Sequence, residues 1–346
     1  MKEFLSINPA HNPPSEIWNG NKDPHAEIPD RMYAIRNALE RDPDNEVITP
    51  PEFHQVPIEL LKTVHDPDYI DYLISTQFSE SPSDANGGYR YPSVMPARRS
   101  DRSTLQKNGQ LGQYSMDLYT PIHKDLWDAA LTGASGAYSA ALAVLEGDRA
   151  SYAIGRPPGH HAGRDYMAGY CYLNNSAVAA RTLCQEGRVG ILDVDFHHGN
   201  GTEDIFRVLQ ESEENPRVLH LSIHADPDRM FPYFSGQTTD GSVPLWKGIN
   251  FALGAGIEDD QYQNVLGEAS ARLKDFRPHF LVVPVGFDTH ESDPIADFKL
   301  TTKYYEKLAR SIMGLGVRTV FVQEGGYNLD TIGANISSFI QGINQA

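Results

Sequence analysis

An α/β fold built on one multi-stranded parallel sheet, with helices on both faces, is what the 346-residue sequence predicts. Three observations predict it. Apolar, branched runs without polar alternation recur, as at 189–192, 279–285 and 317–322, which is how strands buried on both faces read. Segments with helical spacing of apolar residues separate them, as at 259–276 and 301–314. Four strand ends run into polar turns, at 156–163, 193–200, 286–290 and 324–327, and such ends share the edge where open α/β sheets gather ligands.

Taken in order, residues 1–30 are rich in Pro, Asn and His and read as loops with a short strand. Asp30 is placed to cap a helix over 32–40, with Met32, Ile35 and Leu39 on one face. Two short helices, 57–64 and 68–76, flank the turn His65-Asp66-Pro67-Asp68. The stretch 79–119 holds Ser, Gly, Pro and the basic cluster Arg98-Arg99-Ser100-Asp101-Arg102, with no period. Long loops of this kind are usually functional or disordered, and Tyr89, Tyr91 and Tyr114 argue for an ordered excursion, at a subunit contact. A helix at 126–146, rich in Ala and Gly, is suited to close packing. A strand at 151–155 and a helix at 174–186, ended by Gly187, lead into the strand at 189–192. A helix at 201–209, a strand at 217–223, a long loop at 224–247 and a strand at 248–251 follow. The helix 259–276, strand 279–285, helix 301–314, strand 317–322 and helix 332–343 complete the alternation. No repeat, low-complexity block or linker divides the chain, so 1–346 is expected to form one domain with an insertion at about 79–119.

The formal net charge is −17, a surface that repels nucleic acid and anionic membranes and favours cationic ligands. Cys171 and Cys184 match neither a zinc-finger spacing nor a disulfide framework, which points to reduced thiols and a cytoplasmic protein. No signal peptide and no run near the ~18 apolar residues of a membrane span is visible.

The site reading centres on 189–202. Side chains alternate along a strand, so Asp193, Asp195 and His197 project to one side of an otherwise apolar run. Buried charge is costly unless paired or bound to metal, so these residues point to a divalent metal site. With Asp288 at a neighbouring strand end, Asp195 and His197 offer two oxygens and one nitrogen and leave a position open, the pattern of catalytic zinc. The competing reading is a set of hydrogen-bonded carboxylates. Asp193, one pleat deeper, is suited to orient an imidazole. His160 and His161 after Pro-Pro-Gly supply a general base and an acid or electrostatic partner, and Asn200 fixes one of the rings. Tyr327 after two glycines can present a phenol to a developing oxyanion. Gly169, Tyr170 and Phe231 are candidates to line an apolar channel.

The runs Arg-Pro-Pro-Gly-His-His-Ala (156–162), Gly-Tyr-Cys-Tyr-Leu-Asn-Asn (169–175), Asp-Val-Asp-Phe-His-His-Gly-Asn-Gly-Thr (193–202) and Glu-Gly-Gly-Tyr (324–327) resemble the histone deacetylase family over nearly the whole chain. The resemblance implies the arginase/deacetylase fold and zinc on Asp195, His197 and Asp288, with iron(II) or cobalt(II) as other occupants of such a site. It implies that His160 and His161 are the paired catalytic histidines and that Tyr327 polarises the acyl oxygen. Asp193 matches the carboxylate behind the first histidine. Tyr170 and Phe231 match the tunnel walls, and Gly169 a carbonyl that accepts the substrate N–H. It also implies a structural potassium ion at Asp193, Asp195, His197, Ser222 and Ile223.

Within the family, 96–114 is similar to an insertion of the bacterial acetylpolyamine amidohydrolases, which builds a homodimer and narrows the tunnel mouth. An acid at that mouth would meet the far ammonium of a polyamine. Tyr119 stands where the family glutamate would be, which leaves Asp117 and Glu27 as the candidates. The expected activity is zinc-dependent removal of acetyl groups from small cationic amines. The alternatives are an acetyl-lysine deacetylase, a binding module without catalysis, and a ureohydrolase. An oxyanion donor argues against the second, and a single set of metal ligands against the third.

Overall fold

In the computed structural model, the described residues are all of 1–346 except 42–45, 78–87, 97–103, 105, 211–215 and 240–243, together with all described side chains but those of 108 and 246. Eight strands form one sheet: β1 (Lys2–Ser6), β4 (Glu46–Ile48), β5 (Ala150–Gly155), β6 (Val189–Asp193), β7 (Val218–Ala225), β8 (Ile249–Leu253), β9 (Phe280–Val285) and β10 (Arg318–Gln323). Their spatial order is β4-β1-β5-β10-β9-β6-β7-β8, and every pairing is parallel. A separate antiparallel hairpin joins β2 (Glu16–Trp18) to β3 (Asn21–Asp23).

The helices are α1 (Asp30–Leu39), α2 (Ile58–Val64), α3 (Pro67–Thr76), α4 (Lys107–Gln113), α5 (Leu126–Leu145), α6 (Asn175–Leu183), α7 (Asn200–Leu209), α8 (Asp259–Phe276), α9 (Thr302–Met313) and α10 (Ile332–Asn344). Two cores lie on opposite faces of the sheet. Val189, Ile191, Val282, Val320 and Val322 pack with α2, α3, α5 and α6 on one side. Leu192, Leu281, Val283, Val285 and Phe321 pack with α1, α8, α9 and α10 on the other. This two-sided burial is why the strands read as unbroken apolar runs. Ala134, Ala137, Ala140 and Ala141 of α5 are fully buried, the close packing that its small residues permit.

Some expectations shift. Residues 1–30 hold more strand than expected, one of them, β1, inside the main sheet, where pairing on both edges with β4 and β5 buries Phe4 and Leu5. Asp30 sits within the first turn of α1 rather than at its cap, where its charge meets the positive helix end. The helix expected over 174–186 stops at Leu183, and Glu186 N–H closes a tight turn onto the Leu183 carbonyl. Of the 79–119 excursion, 79–87, 97–103 and 105 lie outside the described residues; the rest includes α4 and buried Tyr89, Leu111 and Tyr114. Among the described residues, no helix is long and apolar enough to cross a membrane.

Candidate active site

β9 lies between β10 and β6, and the loops after these three strands converge. Ligand atoms of Asp195, His197 and Asp288 all lie within 4.8 Å of one another. The His197 ring nitrogen Nδ1 is 3.1 Å from Asp288 Oδ2 and 3.4 Å from Asp195 Oδ1. Backbone amides brace the carboxylates: His197 and Gly325 N–H donate to Asp195 at 2.8 and 2.9 Å, and Phe196 N–H donates to Asp288 at 3.1 Å. Glycine is required at two neighbouring positions. A Cβ on Gly286 would lie 2.0 Å from Asp195 Oδ2, and one on Gly325 2.3 Å from Asp288 Oδ2.

The two histidines of 156–163 differ in electrostatics. Burial opposes charge on His160, but Asp195 and Asp193 overcome it and hold the ring up to about 10, with Nδ1 3.0 Å from Asp193 Oδ2. Burial, the charge on His160 and His197 drive His161 well below its ordinary range. Its Nδ1 lies 2.7 Å from Asn200 Oδ1, which can only accept, so Nδ1 carries the proton and Nε2 keeps a lone pair. Asn200 is held in turn by its amide donating to the Tyr166 hydroxyl.

A cavity of about 600 Å³ ends on His161, His197 and Tyr327, and Tyr119, Tyr170 and Phe231 form its walls. The Phe231 ring stands edge-on to His161 at 4.8 Å, and Tyr170 lies 5.7 Å from Tyr327. Gly169 and Tyr170 both have left-handed backbone, φ 51° and 69°; a Cβ on Gly169 would lie 2.3 Å from the His161 ring. The Gly169 carbonyl, 3.3 Å from Cys171 Sγ, retains capacity for a second donor.

Neither carboxylate expected at the mouth lines it. Asp117 turns inward: one oxygen accepts from Gly169 N–H at 2.6 Å, the other from Tyr119 N–H and the Thr120 hydroxyl. Burial pushes it up to about 6. Replacing Asp117 by Asn is expected to lower kcat/KM about tenfold, because it removes a charged acceptor that shapes the Gly169–Tyr170 turn; steady-state kinetics checks this. Glu27 is fully buried between Arg31 and Arg156, at 3.0 and 2.6 Å. Arg31 is only four residues away, but its partner Arg156 comes from a remote turn of the chain, so the sequence around Glu27 does not show that the acid is enclosed by two charges.

Sequence reasoning also missed three supports. Arg31 donates to the carbonyls of Gly326 and Glu324 and lies 4.7 Å over the Tyr327 ring. Asp293 accepts from Tyr327 N–H at 2.8 Å. Glu324 accepts from Gly159 and His160 N–H at 2.6 and 3.1 Å. Glu324 stood inside a quoted motif, but an arginine beside Asp30 in a surface-type helix reads as solvated. Of the residues expected around potassium, Asp193 and Ser222 are register partners on β6 and β7, and the Ser222 hydroxyl lies 2.8 Å from His224 Nδ1.

A family model described as the histone deacetylase domain matches residues 25–343. The chain belongs to the histone deacetylase family. Acetylpolyamine amidohydrolase 1 of Pseudomonas aeruginosa is 36% identical over 335 residues, 95% of this chain and 94% of that protein. The acetylpolyamine amidohydrolase of Mycoplana ramosa is 35% identical, with 98% of each chain covered. The crystal structure of an acetylpolyamine aminohydrolase from Burkholderia pseudomallei superposes with a TM-score of 0.89 at 30% identity, over 99% of this chain and 98% of the other. The expected deacetylase fold is therefore the observed one, and the chain is a hydrolase of deacetylase type.

The family implies a divalent metal ion, typically zinc. The residues fit it. Asp195, His197 and Asp288 converge as a buried O, N, O set, glycines clear the space around the carboxylates, and two clustered buried acids need a cation.

Proposed function

We propose that the protein hydrolyses N-acetylated polyamines of the acetylputrescine, acetylcadaverine and acetylspermidine type, releasing acetate and the free amine. The observation that carries this reading is the narrow aromatic cavity that ends on an uncharged His161, Tyr327 and the metal-ligand set. Asp195, His197 and Asp288 would hold a zinc ion, which would act as a Lewis acid on the acyl carbonyl and lower the pKa of water. His161 accepts the water proton at Nε2. His160, kept charged by Asp193 and Asp195, favours negative charge at the reacting carbon's oxygen. The Tyr327 hydroxyl donates to that oxygen as the water oxygen bonds to the acyl carbon, and the proton held on His161 passes to the amine nitrogen as the C–N bond breaks. Gly169 carbonyl accepts the amide N–H, while Tyr170 and Phe231 exclude water from the methylene chain.

The same reading includes a structural potassium ion at Asp193, Asp195, His197, Ser222 and Ile223, a homodimer through 79–119, and a cytoplasmic location. Val94 and Met95 are exposed apolar residues of that insertion, and both cysteines are free and buried. Sedimentation and elemental analysis test dimer and ions.

The decisive experiment joins a metal assay to acetate release from a panel of acetylated amines and an acetyl-lysine peptide. Chelation is expected to abolish turnover and zinc to restore it. Full rate after exhaustive chelation, or faster cleavage of the peptide than of every acetylpolyamine, overturns the reading.

A further inference from the structure

His161 works as a base only while its proton sits on Nδ1, and one amide decides that. Asn200 stands at the start of α7, where the helix fixes its backbone and leaves the amide two orientations a half-turn apart. With Oδ1 toward His161, 2.7 Å away, the ring proton stays on Nδ1 and Nε2 keeps its lone pair. With the NH2 group there instead, the amide donates to Nδ1, the proton moves to Nε2, and the base is lost. Shape does not separate the two orientations, because amide oxygen and nitrogen are nearly alike in size. Only the groups on the far side of the amide do.

Two groups meet that far side. The Asn200 NH2 donates to the Tyr166 hydroxyl at 3.2 Å and to Met116 Sδ at 3.6 Å. A hydroxyl both donates and accepts, so Tyr166 anchors the amide in either orientation. A thioether has no hydrogen to give. It accepts from the NH2 group and repels an oxygen, so it sets the direction. A second cavity, of about 470 Å³, is lined by Tyr166, Asn200, Glu203 and Phe234. Water in it would serve either orientation equally, which leaves the choice to the sulfur.

Both groups are fixed by backbone contacts. Met116 N–H donates to the Met167 carbonyl at 3.0 Å, and Met167 N–H to the Tyr114 carbonyl at 2.8 Å. The end of the 79–119 insertion thus runs beside the segment that leads to Gly169. Met116 packs there against the cluster of Tyr166, Ala168 and Phe231. Gly163 makes room for the Tyr166 ring: a Cβ on it would lie 2.0 Å from Tyr166 Cε1, and its N–H donates to the Tyr166 carbonyl at 2.9 Å.

We propose that Met116, with Tyr166, is a positioning residue for the base: the sulfur orients the Asn200 amide and through it fixes the His161 tautomer. This role rests on the amide-hydrolase reading above. It ties the insertion to the reaction through a side chain that does not line the substrate cavity.

The test measures kcat and KM for N-acetylputrescine in wild type, Met116→Leu and Met116→Glu, each with Asn200 and with Asn200→Asp. Nitrogen NMR of histidine-labelled protein reads the His161 tautomer, and thermal melts confirm folding. Met116→Leu is expected to lower kcat about two- to tenfold with KM unchanged, and to move the His161 signals toward the Nε2–H form. Glutamate, which like the thioether accepts and does not donate, is expected to keep the native form. With Asn200→Asp either oxygen accepts from His161, so there Met116→Leu should change kcat by less than about twofold. Native tautomer and wild-type kcat in Met116→Leu overturn the role, and so does an equal loss in both backgrounds, which marks a packing effect. An Nε2–H form in Met116→Glu overturns it as well, and that variant decides alone should the leucine variant not fold. If wild type turns over no acetylated amine, the hydrolase reading fails, and the nitrogen spectra still decide what orients the amide.

Discussion

Tyr327→Phe is expected to lower kcat by about 10²–10³-fold while leaving metal content and melting temperature unchanged. The physical ground is that the ring and the hydroxyl do separate jobs. The ring is held under the Arg31 guanidinium at 4.7 Å and against Tyr170 at 5.7 Å, and the backbone N–H is fixed by Asp293. Phenylalanine keeps all three contacts. What disappears is the one hydroxyl that this loop brings to the cavity floor beside His161 and His197. Burial drives that hydroxyl well above the ordinary phenol range, so it stays protonated as a donor. Substrate binding by the aromatic walls is retained, so the loss falls on kcat rather than KM. Turnover equal to wild type would remove the hydroxyl from the reaction.

Glu27→Gln is expected to destabilise the fold by about 3–5 kcal/mol, measured by denaturant melts, because it leaves buried guanidinium charge without its partner. One carboxylate serves two arginines. Arg31 reaches from it to the carbonyls of Gly326 and Glu324, ahead of Tyr327. Arg156 reaches from it to the carbonyls of Asn8 and His11, at the start of the turn that carries His160 and His161. The acid therefore ties together the two loops that carry His160, His161 and Tyr327, the proposed catalytic side chains. The pH dependence follows. Burial opposes the charge, but Arg156 and Arg31 hold Glu27 well below its unfolded value of 4.5. A depressed carboxylate contributes stability that is complete above that value and is lost as the pH falls below it. Glu27→Gln should thus flatten the acid limb of a plot of melting temperature against pH. An acid limb identical to that of wild type would show that the ion pairs contribute nothing.

These two residues mark the boundary of what could be read before the fold was known. Tyr327, His160, His161, Asp195, His197 and Asp288 sit in short motifs at strand ends, and their spacing was enough to bring them to one edge. Alternation along β6 put Asp195 beyond Asp193, and unbroken apolar runs placed β6, β9 and β10 inside the sheet. Helix limits were also legible to within a few residues, because caps and apolar spacing are local. β4, three residues long, had no such local signal.

Local sequence did not reveal which acids face the cavity. The sequence offered Asp117 and Glu27 as the acids of the mouth and did not single out Glu16 or Asp23, which line the cavity. Asp117 is spent on the amides of 119 and 169, and Glu27 on the arginines of 31 and 156; the contacts to 169 and 156 exist only once remote segments are brought together. A carboxylate's role depends on the charges that surround it, and most of those arrive from remote segments. The chain's own pattern of apolar runs and strand-end motifs thus determined the architecture and the candidate reacting groups. Tertiary packing alone decided which charges are neutralised inside and which line the cavity, because Coulomb interactions act through space rather than along the backbone.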